Sequence, residues 1–530
     1  MHMRIRIISC LLILASGVFA QTENLDMTMM AKIRDEGMNH SQVMEIVFNL
    51  TDANGPRLME SPGYFKAANW AKTKLASWGL VNANLEAWGN WGKGWELEKY
   101  YLALTSPYYK PLIGFPKTFS SGTNGLAHAD VILLDAADSS GFPAYDGKLK
   151  NKIVLIKRTD SLPLGFKPDA NRYTDEELMR LAAYDPKSPP PASASSAATT
   201  NAIMAAAHYL LLVKKFAADQ GALGIMTTST RNSDGTVFVQ NGIPYNAEML
   251  ASLNDISISY EDYMTMQRLL LHQIPVKVDL EIKAKIYADD QQGYNVIAEI
   301  PGTDATLKEQ LVMIGGHLDS WQGATGATDN AAGSAVMMEV IRILKAVDVK
   351  PKRTIRIALW GGEETGLHGS KNYVKNHFTD SVTKKFNQAG DKLSVYLNLD
   401  NGTGKIRGIY MQGNAAVKPI FEQWFQPFHD LGASTLSLQN TGGTDHLSFD
   451  AIGLPAFQFI QDPLDYETRV HHTDLDTFDH LRPEDLRQAV VVLTSVLMDA
   501  ANTEKPLPRK VLPSQPRVTD PFHYPDPAKK

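Results

Sequence analysis

The chain has 530 residues, 44% of them hydrophobic, 21% charged and 9% aromatic. At about 100–200 residues per domain this is chain enough for three or four domains, and the balance excludes a wholly disordered, collagenous or polytopic membrane protein. A formal charge of -6 gives no electrostatic reason to expect nucleic acid, whose binding proteins gather Lys and Arg on one face.

The first residues read as an export signal. Arg4 and Arg6 form a basic start, Ile7 to Leu14 an apolar stretch, and Val18, Phe19 and Ala20 a small-x-small cleavage pattern. The apolar stretch is shorter than the about 20 residues needed to cross a bilayer. Residues 1–20 are therefore expected to be removed, leaving an exported protein, periplasmic or secreted, with no membrane attachment. Cys10, the only cysteine, leaves with them. Any metal in the mature chain must then be held by His and carboxylates.

Ser61 to Gly79 has the marks of a helix: Ser61 to cap, Pro62 in the first turn, Phe65, Ala68, Ala71, Leu75 and Trp78 on one face, and Gly79 to stop it. Five of the eight tryptophans (Trp70, Trp78, Trp88, Trp91 and Trp95) fall here, followed by Tyr100, Tyr101, Tyr108 and Tyr109. They suit either core packing or a groove or homodimer contact. From about Leu112 short β-rich runs take over, at Asp130–Leu134, Ile153–Ile156, Leu223–Thr227 and Val237–Gln240, separated by Gly, Asp and Asn turns. Pro186 to Thr200 is too poor in large apolar residues to build a core and reads as a loop, and Ala205 to Ala217 as a helix.

Farther on, Leu311–Ile314, Ile355–Trp360, Val395–Leu399 and Pro455–Ile460 are compact runs of strand length. Helical stretches separate some of them, most clearly Ala335–Val347 with Val336, Val340, Ile341, Leu344 and Val347 at helical spacing. The alternation predicts an α/β domain whose central sheet is mostly parallel and flanked by helices. The division expected is a first part of this domain over residues 21–111, a β-rich insert over 112–285, the second part over 286–503, and an arm over 504–530. The stretch from Pro506 onward holds seven of the 28 prolines.

Open α/β sheets bind ligands beyond the carboxyl ends of their strands, so the residues after each run carry the argument. His317 and Asp319 follow the first in GGHLDS, Glu363 and Glu364 the second in GGEETG, and Asp400 the third in LNLDNG; the fourth leads by a loop to HHTDLDT. Asp329 lies between the first two, in a glycine-rich loop at the start of the predicted helix. Singly, a histidine after a strand or a Glu-Glu pair is more often structural. Gathered on one sheet edge, four acids and two histidines are heavily desolvated unless divalent cations compensate them. The spacing suits two metals, with His317 and Asp400 on one, Glu364 and His472 on the other and Asp329 between them. Imidazole and carboxylate without thiolate suit zinc, with manganese or cobalt as alternatives. Such a pair activates water and polarises a carbonyl, the two needs of amide hydrolysis. Glu363 is then the general base, and Asp319 a carboxylate that orients the His317 imidazole.

The set GGHLDS, GATDNAAGSA, ALWGGEETGLHGS, LNLD and HHTDLDT resembles the co-catalytic di-zinc aminopeptidase/glutamate carboxypeptidase family of exported metallopeptidases, over about Ser41 to Tyr109 and Gly293 to Thr503. The resemblance implies His317, Asp329, Glu364, Asp400 and His472 as ligands of two zinc ions, Glu363 as base, and a cis peptide after Asp329. His472 is preferred to His471 because HTDLDT matches the family's His-Thr-x-x-Asp-Thr pattern. DGKLKNKIVLIKR and FAADQGALGIMTTS are similar to the protease-associated domain that several such peptidases carry as an insert.

Three residues outside this set are substrate-binding candidates. Asp445 and His446, in GGTDHLSFDAIG, resemble a segment that in relatives orients substrate or stabilises an oxyanion, and Arg469 suits a substrate carboxylate; an ordinary surface role fits each as well. The expected activity is removal of the N-terminal residue from peptides, with carboxypeptidase or dipeptidase action as the alternative. A one-metal glutaminyl cyclase and a non-catalytic receptor-like homologue are less favoured, because the ligand set is intact. Neither G-x-S-x-G nor H-E-x-x-H occurs.

Overall fold

A computed structural model describes residues 25–188, 197–240, 253–380 and 386–511. Its strands are β1 (Val81–Asn90), β2 (Gly94–Ser106), β3 (Lys110–Pro111), β4 (Gly114–Pro116), β5 (Ala127–Leu134), β6 (Ile153–Ile156), β7 (Gly224–Thr227) and β8 (Asn254–Ile258), then β9 (Lys277–Tyr287), β10 (Gln292–Ile300), β11 (Leu311–His317), β12 (Thr354–Trp360), β13 (Leu393–Asn398), β14 (Ile406–Tyr410), β15 (Thr435–Ser437) and β16 (Ala456–Gln461). They form two eight-stranded sheets.

The first sheet has the order β1-β10-β12-β11-β13-β16-β14-β15. It is mixed rather than mostly parallel. β12, β11, β13 and β16 run parallel at its centre, while β1, β10 and β14 pair antiparallel toward the edges. The parallel strands are the four runs legible in the sequence, and they are apolar throughout because both faces are covered. Val312, Ile314, Ile355 and Ile357 face the helices Ala332–Ala346 and Pro483–Asn502, whereas Met313, Ala358, Trp360 and Tyr396 face Tyr373, Val374 and Phe449. The period of two divides each strand between two cores.

The predicted helix near Ser61 runs from Pro62 to Ser77; the Ser61 side chain accepts the Tyr64 N–H, and Gly79 takes φ +82° just past its end. Trp88, Trp91 and Trp95 are buried, which answers the choice between core and groove for these three, while Tyr108 and Tyr109 are exposed. Among the described residues no helix is long and apolar enough to cross a membrane.

The second sheet has the order β3-β2-β9-β5-β6-β7-β8-β4, with β5, β6, β7 and β8 parallel. Its longest strand, β2, lies ahead of residue 112. The helix Ala197–Asp219 begins inside the stretch read as a loop, of which residues 189–196 lie outside the described residues. Val237–Gln240, read from sequence as a further β-run, is not a strand of this sheet. Phe238 instead makes an isolated antiparallel bridge with Thr473, far along the chain. The two sheets also share side chains, for Leu58 and Trp321 are buried in a core with Val154, Val213 and Ile225 of the second-sheet region.

Candidate metal centre

Each element of the site is set by a local device. β11 ends on His317, whose Nδ1–H donates to the Asp319 carbonyl at 2.9 Å. The Asp319 carboxylate, expected to orient that imidazole, is 3.7 Å from Nδ1. It also accepts the N–H groups of Glu363 and Glu364, at 3.1 and 3.3 Å, and so holds the turn after β12. Gly361 is required there: a Cβ would lie 2.3 Å from the Tyr64 hydroxyl. Asp400 follows β13. Asp329 is presented by a turn before the helix Ala332–Ala346, and its peptide bond to Asn330 is cis. The Asp476 carboxylate fixes that turn by accepting the Thr328 and Asp329 N–H groups at 2.6 and 3.1 Å.

The side chains then converge. His317 Nε2 is 3.2 Å from Asp329 Oδ1, 3.4 Å from Asp400 Oδ1 and 3.8 Å from Glu363 Oε2. His472 Nε2 is 3.0 Å from both Asp329 Oδ2 and Glu364 Oε2. Two donor groups result, His317–Asp329–Asp400 and Asp329–His471–His472, with the donor atoms of each within 4.8 Å of one another and Asp329 common to both. His471, set aside by the sequence pattern, enters the second group with Nε2 3.6 Å from Asp329 Oδ2 and its ring centroid 3.7 Å from that of His472.

The electrostatics are those of carboxylates crowded away from water. Burial, reinforced by Asp400, Asp445 and Glu364, pushes Glu363 well above the usual carboxylate range, and burial beside Asp329 raises Glu364. Asp329 goes the other way despite its burial, held well below the usual range by His317 and His472. Against the burial that favours a neutral ring, Glu364 and Asp329 push His472 up to about 10, and Asp400 and Glu363 push His317 up. Buried oxygens of Asp329, Glu364 and Asp400 lack a hydrogen bond although they sit beside imidazole nitrogens. Buried carboxylate oxygens without a hydrogen bond, gathered beside imidazoles and with no thiol among them, fit two divalent cations. A cavity of about 10 Å³ among Trp321, Asp329, Glu364 and His472 is about the space of one water.

The other sequence candidates lie outside both donor groups. Asp445 is fully buried, pushed up to about 7 by burial, and neither carboxylate oxygen has a hydrogen bond. His446 Nε2 is 2.9 Å from Gln412 and 3.2 Å from the Thr441 carbonyl, and burial lowers its pKa to about 4. Arg469 is half exposed, 3.9 Å from Asp169. Sequence reasoning missed Arg57. Fully buried, its guanidinium donates to the carbonyls of Leu318 at 2.7 Å, Leu50 at 3.2 Å, Gly326 at 2.8 Å and also Thr325, clamping the loop between His317 and Asp329. Nothing but a lone arginine in NGPRLME signals it.

Residues 295–497 match the family model described as Peptidase family M28. The chain is similar to Carboxypeptidase Q of Homo sapiens, with 29% identity over 293 residues, 55% of this chain and 59% of that protein. It thus spans between about half and three fifths of the length of the carboxypeptidase Q relatives it matches. Among solved structures, a peptidase M28 precursor from Shewanella amazonensis SB2B superposes with a TM-score of 0.65 at 25% identity, covering 92% of this chain and 99% of that one. A zinc aminopeptidase from Bacillus subtilis shares the fold with a TM-score of 0.55 at 22% identity, over 88% of this chain and 97% of that one.

Proposed function

We propose that the protein is an exported zinc-dependent exopeptidase that removes N-terminal residues from peptides. The observation that carries this reading is the convergence of His317, Asp329, Glu364, Asp400 and His472 on one sheet edge, with Glu363 beside them. His317 and Asp400 would hold one zinc ion and Glu364 and His472 the other, with Asp329 within reach of both. When bound, the ions supply an acidified water and a polarised scissile carbonyl. Glu363 takes the water proton on its carboxylate and passes it to the leaving amine. Asp319 keeps the Glu363 main chain in place through its N–H, and the His317 imidazole is steadied by the Asp319 carbonyl. Asp445, His446 and Arg469 are the candidates for contact with substrate.

The second-sheet region is read as similar to a protease-associated domain on the strength of its sequence motifs. Carboxypeptidase or dipeptidase action is the second reading, favoured by the similarity to proteins named Carboxypeptidase Q. A panel of free, N-acetylated and C-amidated peptides, with and without a chelator and zinc re-addition, separates the two. Chelator-sensitive cleavage that acetylation blocks supports the aminopeptidase. Cleavage of acetylated peptides from the carboxyl end replaces it with the carboxypeptidase, and no cleavage with two metals bound overturns both.

A further inference from the structure

The loop that carries His472 runs from Asp462 to Asp476, and two segments of the second-sheet region grip it. On one side Arg172 Nη1 is 2.9 Å from Asp462 Oδ2, the Tyr173 N–H donates to Asp462 Oδ1 at 3.1 Å, and the Asn171 N–H donates to the Leu464 carbonyl at 3.1 Å. On the other side residues 231–240 lie along Glu467–Asp474. Arg231 donates to the His471 carbonyl at 3.0 Å, the Val237 N–H to Asp474 Oδ1 at 2.7 Å, and the Val239 N–H to the His472 carbonyl at 2.8 Å. Gly323 permits this approach, since a Cβ there would lie 3.1 Å from that of Val239. The segment is rooted in its own sheet: Asn232 donates to the Ser257 hydroxyl at 2.9 Å and the Ile258 carbonyl at 2.8 Å, and its Oδ1 accepts the Phe238 N–H at 3.2 Å.

At the end of this segment the Gln240 carboxamide meets His472 Nδ1 at 2.6 Å through the atom placed as its Nε2, whose assignment can exchange with the amide oxygen. His472 sits at φ +60°, a conformation unusual for a residue with a side chain, so the loop alone does not favour its position. The geometry points to Gln240 as a positioning residue for the metal centre, by which the second-sheet region fixes the His472 imidazole. This rests on the reading of His472 as a ligand through Nε2. A metal on Nε2 leaves the ring proton on Nδ1, which must donate. The amide oxygen of Gln240 is then the partner, the carboxamide turning its acceptor end to the ring. A hydrogen bond of this kind orients the imidazole and raises its basicity toward the metal.

The test uses the full mature chain and zinc itself, with both dissociation constants measured by competition against a chromophoric chelator. Gln240→Leu is expected to weaken one zinc about 10–100-fold and leave the other within a few fold, with the melting temperature of the metal-free protein unchanged. Gln240→Glu, which keeps an acceptor, restores binding to the wild-type level. Should the leucine variant not fold, Gln240→Met takes its place, keeping the length and flexibility of the side chain. Wild-type constants in the Leu or Met variant, or equal weakening in the Glu variant, overturn the proposal. His472→Ala separates the two readings. If it too retains both zinc ions, the ligand assignment falls; if it loses one while Gln240→Leu loses none, only the role of Gln240 falls.

Discussion

Both sheets contain four parallel strands, β12-β11-β13-β16 in one and β5-β6-β7-β8 in the other, and both bury carboxylates, yet they balance that charge by opposite means. In the second sheet Asp255 of β8 is fully buried between Lys214 at 2.7 Å and Lys117 at 3.4 Å. The two ammonium groups hold its pKa below the usual carboxylate range although burial works against them. In the first sheet Asp329, Glu363, Glu364 and Asp400 have only histidines within ion-pair distance among the described residues, the buried Arg57 acting on Asp329 and Glu364 from farther away. A buried acid that the chain neutralises by itself is structural. One left to weak, neutralisable bases is a place for an external cation.

The contrast can be broken most sharply at Glu363. Glu363→Gln is expected to keep both zinc ions and lower kcat by about 10²–10⁴-fold, checked by steady-state kinetics beside metal analysis; unchanged turnover would overturn the mechanism. Asp255→Asn leaves two buried ammonium groups without their counter-charge and should destabilise the protein by about 3–5 kcal/mol while zinc affinity stays the same, measured by denaturant unfolding and chelator competition.

The same variant has a pH signature. Because the folded pKa of Asp255 lies below its unfolded value, its stabilisation is complete above about pH 4 and fades as pH falls through the folded value. The gap between wild type and Asp255→Asn should narrow on acidification below about pH 4; a gap independent of pH removes the charge from the explanation. Glu60 gives an effect of the opposite sign. Burial, then Asp290, pushes it up to about 8, so stability is lost as pH rises from the unfolded value to about 8. Glu60→Gln should match wild type near pH 4 and exceed it near pH 8 in thermal melts.

What was legible in the sequence was legible because it is local. The four central strands announce themselves by apolar runs, and the residues one to four positions past each run must lie at the sheet edge. His317, Glu363, Glu364 and Asp400 follow from that rule, and Asp329 from a glycine-rich helix start. The edge strands gave no such signal: β1 and β10 pair antiparallel, and short-range periodicity does not encode strand direction. Asp319 was found beside the His317 ring, but its second task, accepting the Glu363 and Glu364 N–H groups, was not, because a strand-end position does not reveal which turn a side chain also reaches. Gln240 and Arg57 were invisible for a different reason. The Gln240 partner lies 232 residues away and the Arg57 partners at the site more than 260, and no spacing rule reaches that far.

The residues shared by the two cores have a thermodynamic consequence. Leu58 and Trp321 belong by sequence to the neighbourhood of the metal centre but are buried among Val154, Val213 and Ile225. Opening either sheet alone would strip those side chains of their surroundings and expose apolar surface on both sides. The two sheets are therefore expected to unfold together, in one cooperative heat-absorption peak whose calorimetric and van't Hoff enthalpies agree.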